Sequence, residues 1–141
     1  MKTKKSIIEE YNCDIYNVIL VVANRYTTLE ELQKLYTYSD KVELDKDIID
    51  GDCTTSTCYR KSDGALVVLV KHNHYTTNKS LDKKLDFIDT CAHEATHVAL
   101  DIYSFINQNI CNCSPEPFCY LTGWATRCIY KTLTKKWIYL N

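Results

Sequence analysis

Two stretches of the chain carry an apolar or small side chain at every position: residues 18–23 read VILVVA and residues 65–70 read ALVVLV. A strand with one wet face alternates apolar and polar residues, and neither stretch does so, which predicts strands buried on both sides. The first predicted strand covers residues 15–23. The second covers 65–75, with a buried first half and an exposed second half, KHNHY. Neither run approaches the length needed to cross a bilayer, and the amino-terminal residues MKTKKSIIEEYNCD lack the apolar core of a secretory signal. The expectation is a cytoplasmic protein with no membrane partner, whose eight cysteines are reduced thiols.

The remaining elements are set by local signals. Thr28-Leu29-Glu30-Glu31 is a capping box that opens a helix with Leu29, Leu32, Leu35 and Tyr36 on its apolar stripe. Residues 40–52 are charged and carry no clear period. Residues 53–61 form a strand joined to the second apolar one by Ser62-Asp63-Gly64, a hairpin signal. Leu81, Leu85, Ile88, Ala92, Ala95, Ala99 and Ile102 recur at three- and four-residue intervals, predicting a long helix over about 81–105 whose stripe faces the core, with Ser80 as its cap. Ser114-Pro115-Glu116-Pro117 starts a third helix that runs to about Leu133.

With 141 residues, 25% charged and a formal net charge of −1, the chain predicts a single domain over 1–141 and carries no basic footprint for nucleic acid. The expected architecture is α+β: a small, mostly antiparallel sheet packed on the long helix and on the helix that carries Glu116. Residues 1–50 form a strand–helix part.

The long helix contains TCAHEATHVALD, residues 90–101. Positions i and i+4 share one helix face, so His93 and His97 can offer two imidazole nitrogens to one ion. Glu94, rotated by about 100°, is placed to take a proton from a metal-activated water. This is the H-E-x-x-H arrangement of zinc hydrolases. The competing reading is a helix that carries two histidines by chance. A catalytic zinc needs a third protein ligand. The metzincin spacing is excluded because Leu100 and Tyr103 stand where its glycine and third histidine would be. Glu116, at the start of the next helix, is the candidate.

These residues resemble the gluzincin metallopeptidases, the thermolysin-like clan, and are similar to small H-E-x-x-H proteins of bacteria and phages that carry an EPFxYLxGW segment. The resemblance covers about residues 54–130 and implies Zn2+ held by His93, His97 and Glu116, with Glu94 as general base. It also implies that Asp101 steadies a ligand histidine, and that the substrate is a peptide or protein. The chain departs from that clan in having Pro115 before the glutamate and Tyr120 four residues after it. Tyr120 is expected either to donate to the Glu116 carboxylate or a developing oxyanion, or to be a core tyrosine. Gly123 is expected to let the third helix approach Ala95 or Ala99 closely. Trp124 is read as core and Arg127 as surface.

His72 and His74 share one face of the second apolar strand. They are either rim residues of a substrate-pairing edge or incidental. Cys111, Cys113 and Cys119, with Cys128, offer a rival structural zinc cluster, although C-x-C lacks the usual C-x2-C pairing. Cys91 is expected to pack behind the histidines. Two functions therefore stand: a zinc metallopeptidase, or a zinc-stabilised binding or structural protein, phage-encoded in character, that hydrolyses nothing. Oligomeric state is open.

Overall fold

The computed structural model describes residues 5–73 and 80–138, with side chains of the last helix as far as Thr134. The fold is α+β, with a six-stranded, mostly antiparallel sheet and three α-helices among the described residues. It divides into two compact units, residues 1–74 and 75–141.

The first unit holds β1 (Ile8–Asn12), β2 (Ile19–Asn24), α1 (Leu29–Leu35), β3 (Tyr36–Ser39), β4 (Val42–Glu43), a short 3-10 turn (Lys46–Ile48), β5 (Cys53–Arg60) and β6 (Leu66–His72). The strand order is β1-β2-β6-β5-β3-β4. The two wholly apolar runs lie side by side at the centre, β2 parallel to β6, and every other pairing is antiparallel. A parallel pair needs a long crossover, supplied here by residues 25–65, which include α1 and β5. The sheet thus draws strands from both sides of residue 50. One face, with Ile19, Val21 and Ala23 of β2 and Val67 and Leu69 of β6, packs with Leu32, Tyr36, Leu44 and Ile48. The alternate residues Leu20, Val22, Val68 and Val70 are equally buried, as expected for strands without a polar face.

Local chemistry sets the joints. The Thr28 hydroxyl accepts from Glu31 N at 3.2 Å and the Glu31 carboxylate accepts from Thr28 N at 2.7 Å, completing the capping box. A cap of this kind is worth about 1 kcal/mol. The β5–β6 hairpin closes with Gly64 at φ 72°, a left-handed position that glycine adopts without a Cβ penalty. Tyr36 is buried, and its hydroxyl donates to Glu10 Oε1 at 2.7 Å; burial and that carboxylate push the phenol pKa up. Glu10 also pairs with Arg60, which in turn holds Asp63 at 2.6 Å.

The sheet departs from the sequence-based expectations in two places. The first predicted strand begins at Ile19, and Ile15 is exposed. The segment before it contributes β1, whose polar residues hid it. In the second half of the second apolar strand Lys71 and His72 are buried rather than exposed, at 2% and 1%, and Asn73 is half-buried; the main chain there pairs on both sides, with β2 and β5. A rim role in main-chain pairing with a substrate is therefore closed to Lys71 and His72, while His74 lies outside the described residues.

The second unit holds α2 (Leu81–Phe105) and α3 (Glu116–Ile138). Ser80 caps α2 by accepting from Lys83 N. Asn107 at φ 55° terminates it, with Gln108 N donating to Tyr103 O at 2.9 Å. The helices pack as an antiparallel pair, with Tyr103 against Phe118 (ring centroids 5.2 Å) and Phe87 against Tyr130 (5.8 Å). The buried stripe of α2 is Cys91, Ala95, Val98, Ala99, Ile102 and Tyr103. Leu81, Leu85, Ile88 and Ala92, expected to face the core, are exposed. Gly123 is not a close-approach glycine, since a Cβ built there would meet nothing within 4 Å. Trp124 is half-buried rather than core, and Arg127 is exposed, as expected. No described helix is long and apolar enough to cross a membrane.

Lys71 provides a test of the sheet interior. Burial pushes its pKa down from 10.5 to about 8. Its ammonium donates to Asn73, whose amide nitrogen donates in turn to Ile49 O and Gly51 O. Between these two pKa values the unfolded chain binds more protons than the folded one, so this group makes stability rise with pH across that window. Lys71→Met removes the cost of the buried charge. Its melting temperature at neutral pH is expected to exceed that of the native protein by about 3 °C or more, a gap that closes as the pH passes that of the free lysine. Thermal unfolding followed by circular dichroism across that pH range checks it.

Candidate metal centre

The helical period places His93 and His97 on the side of α2 away from Cys91, Ala95, Val98 and Ile102. Their Nε2 atoms lie 3.2 Å apart, and the rings meet edge to face with centroids 4.9 Å apart. Two nitrogens at about 2.0–2.1 Å from a tetrahedral zinc are separated by about 3.3 Å. The observed spacing is close to that edge; without an ion the two nitrogens lie at hydrogen-bond distance from each other, one donating and the other accepting.

Glu94 occupies the boundary between this face and the buried stripe. Its side chain is 8% exposed whereas that of His93 is 69% exposed, and Glu94 Oε1 lies 3.9 Å from His93 Nε2. That distance is too long for a direct hydrogen bond and suits a bridging water. Cys91 packs one turn before Glu94. Burial, and then the Glu94 carboxylate, push its thiol pKa up to about 12, so it stays an inert thiol behind the histidines.

Asp101 comes one turn after His97. Burial raises its carboxyl pKa, and the attraction of His97 opposes the rise. Asp101 is thus a half-buried carboxyl group within electrostatic reach of the second histidine.

Glu116 is not brought to this pair. Tyr103 stacks on Phe118 and Phe87 on Tyr130, a register that sets the start of α3, with Glu116, level with the end of α2 rather than with His97. Side chains lean toward the start of their own helix, so in an antiparallel pair His97 and Glu116 lean apart. Among the described residues, no three His, Cys, Asp or Glu side chains form a group able to hold a metal. Cys111, Cys113, Cys119 and Cys128 accordingly form no cluster of that kind. Tyr120 is 71% exposed on α3, which excludes the core reading of that residue.

No family model, curated sequence or solved structure matches the chain. The chemistry of the centre therefore rests on its own residues. The two nitrogens of His93 and His97 fit a zinc ion in type and spacing, Glu94 stands beside them, and Asp101 follows one turn after His97.

This geometry sets the expected order of zinc affinities. His97→Ala weakens binding by about a hundredfold or more, Asp101→Asn by about tenfold, and Glu116→Ala by less than about twofold. Isothermal titration of the metal-free protein and the three variants with zinc measures all of them.

Proposed function

We propose that the protein is a zinc-dependent hydrolase of peptide bonds, working in the cytoplasm on a peptide or protein substrate, with His93 and His97 as metal ligands and Glu94 as general base. The observation that carries this reading is the 3.2 Å separation of the two Nε2 atoms with the Glu94 carboxylate 3.9 Å from one of them. A bound zinc would supply Lewis acidity, polarising a carbonyl and lowering the pKa of a water.

The chain's own residues account for the rest. His93 and His97 sit one turn apart on a long helix, so backbone hydrogen bonds hold their relative position. Asp101, one turn on and within electrostatic reach of His97, would steady that ring as an outer carboxylate does. Glu94, nearly buried at its side chain, is restricted to few rotamers and takes a proton from the water, later returning it to the departing amine. The resemblance to gluzincins rests on the H-E-x-x-H helix; among the described residues no third protein ligand, Glu116 included, stands with the two histidines.

The exposure of His93 favours a second reading, in which the same pair holds zinc at a surface without catalysis. Glu94 separates the two. Glu94→Gln is expected to bind zinc as the native protein does and to lose peptide hydrolysis by on the order of a hundredfold to ten-thousandfold, measured as cleavage of a peptide library by mass spectrometry. Cleavage that persists in Glu94→Gln contradicts the assigned base. Cleavage by neither protein, with zinc bound by both, establishes the second reading.

A further inference from the structure

The loop between α2 and α3 carries Cys111-Asn112-Cys113, and both thiols are exposed. The amide of Cys113 donates to Cys111 Sγ at 3.3 Å, and Ser114 N donates to Cys111 O at 3.1 Å, so a turn wraps the backbone around the first sulfur. The sulfur faces a donor that stabilises its anion. The thiol pKa of Cys111 is lowered accordingly, first by that amide and then by the Cys113 side chain.

Most of the other cysteines are withdrawn from solvent. Cys13, Cys58, Cys91 and Cys128 are buried and Cys53 is half-buried, and burial pushes the thiols of Cys58 and Cys91 up to about 12. Cys119 is exposed on the first turns of α3, where it serves as an internal reference of similar exposure. A thiolate with a second thiol two residues away, both open to solvent, has the two parts that thiol–disulfide exchange needs: an attacking sulfur and a resolving one.

We propose that Cys111 and Cys113 are a redox-active dithiol that reduces a protein or low-molecular-weight disulfide. The Cys111 thiolate attacks one sulfur of the disulfide. A mixed disulfide forms and the other sulfur leaves as a thiolate. Cys113, giving up its proton to solvent, then attacks Cys111 Sγ, forming the Cys111–Cys113 disulfide and expelling the second thiolate. One disulfide is reduced to two thiols and the pair is oxidised, so electrons balance without a further reagent. The reaction uses neither histidine and needs no metal.

The test uses the full chain, reduced and stripped of metal by a chelator, with oxidised glutathione as the probe. Free thiols are then alkylated and mapped by peptide mass spectrometry. In the native protein Cys111 and Cys113 are expected to become resistant to alkylation together, with the mass loss of one disulfide, while Cys119 remains alkylated. In Cys113→Ser, glutathione accumulates on Cys111 about tenfold faster than on Cys119 at neutral pH. In Cys111→Ser, Cys113 reacts no faster than Cys119. Equal rates at Cys111 and Cys119 in Cys113→Ser would overturn the proposal, as would a native protein that keeps both loop thiols alkylatable. Zinc plays no part in the assay, so its outcome is independent of the hydrolase reading.

Discussion

The sheet depends on one constraint: two strands without a polar face have to lie next to one another, away from both edges. β2 and β6 satisfy it by pairing in parallel, and the other strands add outward from them. Because the pair is parallel, the chain between them has to cross over, and α1 and the 3-10 turn use the crossover to cover one face with Leu32 and Ile48. The same placement draws Lys71 and His72 indoors, since a strand that is central for its apolar half remains central for its polar half.

In the helical unit the equivalent constraint is the helical period. It sorts α2 into a buried stripe and an outer face, and His93 and His97 fall on the outer face one turn apart, where their ring nitrogens meet. Glu94 falls at the boundary, buried at its side chain yet within a water's reach of His93. The combination is chemically specific. A carboxylate on the wet face would be a solvated anion free to move, and one at the centre of the stripe would not reach the imidazoles.

What was legible in the sequence is what depends on near neighbours. The Thr28–Glu31 capping box, the bounds of α2, the Asp63-Gly64 hairpin and the both-face burial of β2 and β6 are all determined by residues a few positions apart. The misreadings all involve partners distant in sequence. β1 and the β3–β4 ribbon are short strands of mixed polarity whose identity comes from the strands they pair with. The outward turn of Leu81, Leu85 and Ile88 cannot be seen in a period that is itself regular. Gly123 meets open space because the register of α3 on α2 is set by aromatic contacts at Tyr103 and Phe87. That register also separates Glu116 from the histidines, although the interval between them in the chain suits the clan they resemble.

The central claim is that His93 and His97, and not the cysteines, hold zinc. X-ray absorption spectroscopy of the zinc-loaded protein tests it most directly. The account predicts a first shell of nitrogen and oxygen at about 2.0–2.1 Å with the multiple-scattering signature of two imidazoles. Sulfur at about 2.3 Å, or a shell without imidazole, would contradict it.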